Sequence, residues 1–251
     1  MKTVLLIIDP QNDFVDPKGS LYIPGAEKGI EEICKFIEKK NPTSILITQD
    51  THRSYHIGHS SWWKENPAPF TKITKEDIEE GKYTPVFESL DYTKDYFSRL
   101  PENTHHTIWP EHCLEGSWGH NIPERLMKAL NTWALQIEEV NELSKRKKDY
   151  TIIPKGTDPN CEMFSVFSKA HMPNKDGMGL FSTLEYFDKI YISGFAKDIC
   201  VAWSVRDMVN SGLFKDKLVF LNSCMTGLDE NSEMLSVYSE AVKNYGAIWE
   251  E

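Results

Sequence analysis

Four side chains able to move protons or attack a carbonyl each follow a short apolar run: Asp9 after Thr3–Ile8, Asp50 after Ser44–Thr48, Lys155 after Thr151–Pro154, and Cys200 after Lys189–Ser193. Cys200 lies in Gly194-Phe195-Ala196-Lys197-Asp198-Ile199-Cys200-Val201, between a strand-like run and a helical pattern over about 201–209. A thiol at such a turn meets the positive end of the helix dipole and free backbone N–H groups. These lower its pKa and offer donors to an oxyanion, which is what a nucleophile needs. The plain alternative is a buried cysteine packed as a small hydrophobe. The other three also have plain readings: Asp9 as a turn residue before Pro10, Asp50 as a helix cap, Lys155 as solvated surface. Ligands of open α/β sheets bind beyond the carboxyl ends of the strands, and all four residues fall on that rim.

A second group of residues has metal-ligand chemistry. Asp50-Thr51-His52-Arg53-Ser54-Tyr55-His56-Ile57-Gly58-His59 holds one carboxylate and three imidazoles, and Trp109-Pro110-Glu111-His112-Cys113 adds a further imidazole. Such donors suit Zn²⁺, Fe²⁺ or Mn²⁺. An Asp-x-His pair is equally an ordinary polar loop. As a ligand pair it needs a third donor from elsewhere and leaves positions for water and substrate.

The elements that must hold these groups read as strand, helix, strand. Thr3–Ile8 is continuously apolar, as in a strand buried on both faces. Ala26, Ile30, Ile33, Cys34 and Ile37 recur at helical spacing between Pro24 and Lys40, which puts Cys34 in the core. Ser44–Thr48 is the next strand and completes a βαβ unit. Further strands are expected at 151–154, 189–193 and 217–221, with a short helix closing at Leu184–Phe187 and another over about 231–244. This predicts an α/β fold, an open and mostly parallel sheet flanked by helices on both faces, in one domain over 1–251. From Thr51 to about His106 periodicity fails, and a long excursion with two short helices is expected, an insertion over about 60–106. From about 123 to 145 the spacing of Leu126, Leu130, Trp133, Ile137 and Val140 predicts one long helix. Both segments offer surface for a lid or for contacts in a homo-oligomer.

The 251 residues carry 38 acidic and 28 basic side chains, a net charge of −10. The basic run Lys145–Lys148 reads as a solvated helix end, so binding of nucleic acid or anionic membrane through bulk charge is not expected. The first apolar run is too short for a signal segment or a membrane span. Five cysteines without a Cys-x-x-Cys pair point to free thiols and a reducing compartment, by default the cytoplasm.

Taken together, Asp9-Pro10-Gln11-Asn12-Asp13-Phe14, Asp50-x-His52-x3-His56, Trp109-Pro110-x-His112-Cys113, Lys155-Gly156 and Gly194-Phe195-Ala196-x-Asp198-x-Cys200-Val201 stand in the order of a known family. Over nearly its whole length the chain resembles the nicotinamidase (pyrazinamidase) branch of the isochorismatase-like cysteine hydrolases. The resemblance implies a Rossmann-like three-layer fold and a triad of Asp9, Lys155 and Cys200. It implies a divalent metal, Zn²⁺ first with Fe²⁺ or Mn²⁺ as alternatives, on Asp50, His52 and His112, with His56 close by. Phe14 and Trp109 would pack on a pyridine ring. A cis peptide would fall between Phe195 and Ala196, with the N–H groups of Ala196 and Cys200 facing the oxyanion. The implied reaction is hydrolysis of nicotinamide, and of pyrazinamide, through a cysteine thioester in NAD salvage.

Several positions depart from the family pattern. Thr51 and Arg53 replace the usual Trp and Pro, while Gly58 and His59 replace Ser and Phe. His59 then reads as a surface histidine, with a new site residue as the alternative. Glu162-Met163-Phe164-Ser165-Val166-Phe167 stands where Asp-Ser-Tyr-Ser-Ala-Phe is usual, which alters the substrate wall. Two other readings stay open: an amidase of the same fold for another carboxamide or urea-like substrate, and a non-catalytic binding protein.

Overall fold

Every side chain from Val4 to Ile8 is fully buried, and the reason is the place of this strand in the sheet. A computed structural model describes residues 1–100, 105–141, 144–167 and 178–251. Strand β1 (Thr3–Ile8) leads through the short helix α1 (Asn12–Val15) and α2 (Ala26–Lys40) to β2 (Ser44–Asp50). An excursion follows with β3 (Lys72–Ile73), α3 (Lys75–Glu79), α4 (Leu90–Ser98) and β4 (His106–Thr107). Then come α5 (Glu124–Ala134), β5 (Ile137–Asn141), β6 (Ser144–Lys147), β7 (Tyr150–Lys155), α6 (Met178–Glu185) and β8 (Lys189–Gly194). The chain closes with α7 (Ala202–Ser211), β9 (Leu218–Met225), α8 (Ser236–Tyr245) and β10 (Ile248–Glu250).

Six strands form one sheet in the order β10-β9-β8-β1-β2-β7, and every pairing is parallel. Side chains alternate between the two faces of a strand. Val4, Leu6 and Ile8 accordingly join a core with Val205, Met208 and Ala241 of α7 and α8. Leu5 and Ile7 join the opposite core with Ile30 and Ile33 of α2 and Leu126, Leu130 and Trp133 of α5. Helices thus cover both faces, as expected. Cys34 is only partly buried, at the rim of the second core.

The expected helix over 123–145 is corrected: α5 stops at Ala134, and Ile137–Asn141 pairs antiparallel with Ser144–Lys147. The apolar spacing runs on through Ile137 and Val140, but both are β-branched and favour extended backbone. Gln136 N–H closes the helix on Trp133 O at 3.1 Å. The basic run therefore lies in and just after β6, and Lys148 is buried, with Nζ 5.4 Å from the centre of the Trp133 ring. Residues 142–143 of that segment, and 101–104 of the excursion, fall outside the described residues.

The excursion has its two short helices and a small core of its own, in which Trp62, Trp63, Ile73, Ile78, Tyr96 and Phe97 are buried. Thr74 and Asp77 form a capping box at the start of α3, and Ser89 caps α4. Among the described residues no helix is long and apolar enough to cross a membrane.

Candidate active site and metal centre

The sheet brings the predicted rim residues together by register. Asp50 at the end of β2 pairs with Lys155 at the end of β7, and Ile8 pairs with Gly194 at the end of β8. From β1 the chain goes to β2 on one side and later to β8 on the other, so a crevice opens beyond the carboxyl end of β1. Gly194 has φ +123, and a Cβ there would lie 2.1 Å from Ile8 O, so only glycine fits. The Phe195–Ala196 peptide is cis. Lys197–Val201 then forms a π-turn that runs into α7, so the helical backbone starts at Lys197 and Cys200 lies inside its wide first turn.

Asp9, Lys155 and Cys200 meet in this crevice, all buried. Lys155 Nζ lies 2.9 Å from Asp9 Oδ2 and 2.9 Å from Asp50 Oδ1. It donates to Met163 O at 3.0 Å and to Cys200 Sγ at 3.6 Å. Thr48 Oγ1 donates to Asp9 Oδ1 at 2.5 Å, whereas Asp9 Oδ2 has the ion-pair contact but, among the described residues, no donor aligned on it. Burial works against the Lys155 ammonium, yet Asp50 and Asp9 outweigh it and hold its pKa well above the ordinary value. Burial also raises the Asp9 carboxyl, in spite of Lys155.

The thiol is a correction. Burial pushes Cys200 well above the ordinary range; Lys155 pulls it down, while Asp9 and Asp50 push it further up. The acidic thiol expected from a helix end does not arise, because desolvation outweighs the local dipole and the nearby ammonium. Cys200 therefore rests as a thiol, beside a carboxylate that can take its proton.

Next to this group, Asp50 Oδ2 lies 3.0 Å from His52 Nε2 and 3.5 Å from His112 Nε2. The ligand atoms of Asp50, His52 and His112 all lie within 4.8 Å of one another, and all three residues are buried. His112 Nδ1 donates to Pro110 O at 2.8 Å, which leaves Nε2 with its lone pair toward Asp50. One carboxylate oxygen and two imidazole nitrogens converging away from solvent fit a divalent ion of the Zn²⁺ or Fe²⁺ kind. Burial pulls His52 down, but Asp50 more than offsets it and leaves His52 raised. Burial disfavours the Asp50 carboxylate too, yet His52 and Lys155 hold its pKa well below the ordinary value. His56 lies beside this group, its ring centre 4.3 Å from that of His52.

His59 is not at the surface. It is fully buried, because the loop bridges to Trp109 and Trp109 N–H donates to Gly58 O at 2.7 Å. Glu162, also buried, turns toward the same histidines; a Cβ on residue 58 would lie 2.6 Å from its Oε2, so Gly58 gives it room.

Sequence reasoning missed the residues that clamp the site. Gln11 Nε2 donates to Asp50 O and His120 O, and Gln11 Oε1 accepts from Asp50 N–H at 2.7 Å. Asp13 accepts from Cys113 N–H at 2.6 Å and from Ser20. Asp198 accepts from Leu228 and Asp229 N–H, each at 2.9 Å, and so ties the loop after β9 to the Cys200 turn. All three lie inside the quoted motifs, but a buried clamp and a reacting group look alike in sequence.

Phe14, Leu21, Trp109, Phe164, Ile199 and Leu228 wall the cleft, into which Asp50, His112, Glu162 and Cys200 reach. Phe164, from the stretch that departs from the family pattern, lies between Trp109 and Trp203, with ring centres 6.5 and 5.5 Å away. This is an apolar slot for a flat ring, with a nucleophile and a ligand cluster among its walls.

No protein-family model matches the chain. The curated nicotinamidase of Saccharomyces cerevisiae is 27% identical over 245 residues, spanning 97% of this chain and 96% of its own. The structure of the yeast nicotinamidase bound to the inhibitor nicotinaldehyde superposes with a TM-score of 0.67 at 20% identity, covering 98% of each chain. The pyrazinamidase of Pyrococcus horikoshii in complex with zinc gives a TM-score of 0.57 at 20% identity, over 100% of this chain and 99% of that one. These two share the fold. With the end-to-end likeness in sequence added to the motifs and to the way the sheet gathers them, the chain is similar over nearly its whole length to nicotinamidases.

Proposed function

We propose that this protein hydrolyses nicotinamide to nicotinate and ammonia, in NAD salvage, through a thioester on Cys200. The observation that carries this reading is the meeting of Asp9, Lys155 and Cys200 in a slot walled by Phe14 and Trp109, beside Asp50 and His112. The yeast relative named nicotinamidase and the nicotinaldehyde in the yeast structure support the choice of substrate.

Asp9 takes the thiol proton on Oδ2, the oxygen that has no aligned donor among the described residues. The sulfur attacks the carboxamide carbon, and the N–H groups of Ala196 and Cys200 receive the oxyanion. As the carbonyl re-forms, the C–N bond breaks and Asp9 returns the proton to the departing nitrogen, which leaves as ammonia. Asp9 then accepts a proton from water as the water attacks the thioester; when the C–S bond breaks, that proton restores the thiol, and the carboxylic acid leaves and gives its own proton to solvent to become nicotinate. Lys155 keeps Asp9 oriented and balances its charge. Phe14 and Trp109 hold the ring flat against the slot. A divalent ion on Asp50, His52 and His112, Zn²⁺ first with Fe²⁺ and Mn²⁺ served by the same donors, would supply fixed positive charge that orients a pyridine nitrogen. His56 packs against His52 without binding the ion. Five free cysteines support a reducing compartment, the cytoplasm.

The test is ammonia release from nicotinamide by wild type, by Cys200→Ala and by chelated protein given back Zn²⁺, Fe²⁺ or Mn²⁺, with pyrazinamide and linear amides run alongside. Release that Cys200→Ala abolishes and a metal restores is the expected result. Wild type that leaves nicotinamide intact with every metal overturns the assignment, and turnover of another amide would then name the substrate class.

A further inference from the structure

His59 is fully buried, yet among the described residues its Nε2 has no hydrogen-bond partner. Its other ring nitrogen, Nδ1, lies 3.2 Å from Ser54 O. A carbonyl oxygen only accepts, so Nδ1 carries the proton and Nε2 presents a bare lone pair. Metal-binding histidines take this tautomer when a backbone carbonyl holds the far nitrogen, and His112 is held the same way by Pro110 O. His56 is the reverse: Gly58 N–H donates to its Nδ1 at 3.1 Å, so its proton sits on Nε2, and although among the described residues that nitrogen also has no partner, it offers no lone pair to a metal.

Ring spacing points in the same direction. The His59 ring centre is 5.4 Å from that of His52 and 5.6 Å from that of His112, and those two are 4.9 Å apart. With metal–nitrogen distances of about 2.0–2.1 Å, ring centres stand about 3.2 Å from a shared ion. Two such rings then lie about 4.5–5.2 Å apart for ligand angles between right and tetrahedral. The His52, His59 and His112 triangle is a few tenths of an ångström wider than that on the His59 side. Among the described residues, His56 makes ring contacts with His52 and His59 but none with His112.

We infer that His59 is a further ligand of the metal centre through Nε2, giving the ion three imidazoles and one carboxylate from the protein. This rests on the metal-binding reading above. The group whose ligand atoms lie within 4.8 Å of one another comprises Asp50, His52 and His112, so coordination requires the His59 ring to move inward.

X-ray absorption at the zinc edge of the full-length Zn²⁺-loaded protein should count three imidazoles per ion; a count of two overturns the inference without any variant. Zn²⁺ affinity by competition with a chromophoric chelator, on variants whose fold is checked by circular dichroism, then identifies the third ring. His59→Phe should weaken binding at least about 10-fold, the low end even for an outer partner of a ligand, and should remove one imidazole from the count. His56→Phe should keep all three. Loss of a ring in His56→Phe but not in His59→Phe overturns the assignment. Binding that His112→Ala abolishes and His59→Phe leaves unchanged sinks the His59 inference alone. Wild type that binds no Zn²⁺, Fe²⁺ or Mn²⁺ sinks the metal reading itself.

Discussion

Lys155 Nζ lies 2.9 Å from Asp50 Oδ1, the same distance it keeps from Asp9 Oδ2. Asp50 thus divides its carboxylate, one oxygen to the ammonium beside Cys200 and the other to His52 and His112. The ligand cluster and the nucleophile share a single buried cation, so a charge change on one side must be felt on the other.

Asp50→Asn should therefore act on the thiol as well as on the metal. The Asp50 charge helps to raise the Cys200 pKa, and its loss leaves Lys155 less opposed. In metal-free protein, the pH midpoint for alkylation of Cys200 by iodoacetamide, followed by mass spectrometry, should move down in this variant. An unmoved midpoint would separate the two sites electrically.

Asp9→Asn separates acidity from turnover. Removing that carboxylate also lowers the thiol pKa, so alkylation at neutral pH should speed up. Ammonia release should nevertheless fall by about 10²–10⁴-fold, because no group remains to move the proton. Slower alkylation in Asp9→Asn would contradict the charge arrangement described here.

Much of this arrangement is legible in the sequence because it depends on local pattern. β1, β2 and β8 are apolar throughout since both faces are covered, and their ends locate Asp9, Asp50 and the Cys200 turn. What depends on distant packing is not legible. His59 looks like a polar loop residue until the Trp109 segment bridges to it. Cys200 looks acidic until its burial is known, since desolvation is a property of the assembled site. The helix through α5 looks continuous because Ile137 and Val140 keep the spacing, although the chain there turns into a hairpin.

Lys155→Met would leave Asp9 and Asp50 buried with their shared cation gone. Breaking a buried pair in this way costs about 3–5 kcal/mol. Urea unfolding at pH 7 should show a loss of that order together with loss of ammonia release. Unchanged stability would mean that the carboxylates have taken up protons or water in its place.

Metal affinity should climb with pH. The His52 pKa in the folded protein is raised above its ordinary 6.5, so a proton competes with the metal until the pH passes that raised value. The same shift stabilises metal-free protein: its contribution is complete below about pH 6.5 and fades as pH rises through the folded value. Thermal unfolding of metal-free wild type against His52→Gln across that window measures it. A gap between the two that widens as pH rises would reverse the sign.

The strand order has a consequence for synthesis. β1 is made first and ends at the centre of the sheet, but its neighbour β8 begins only at Lys189. At about 5–20 residues per second, one edge of the most apolar strand stays open for on the order of tens of seconds while the chain emerges. An unpaired apolar edge is a template for wrong partners. Chains truncated before Lys189 should therefore aggregate rather than fold to a smaller domain, a difference that sedimentation of the fragment would reveal. The Cys200 turn follows β8 directly, so the nucleophile arrives with the strand that closes this edge.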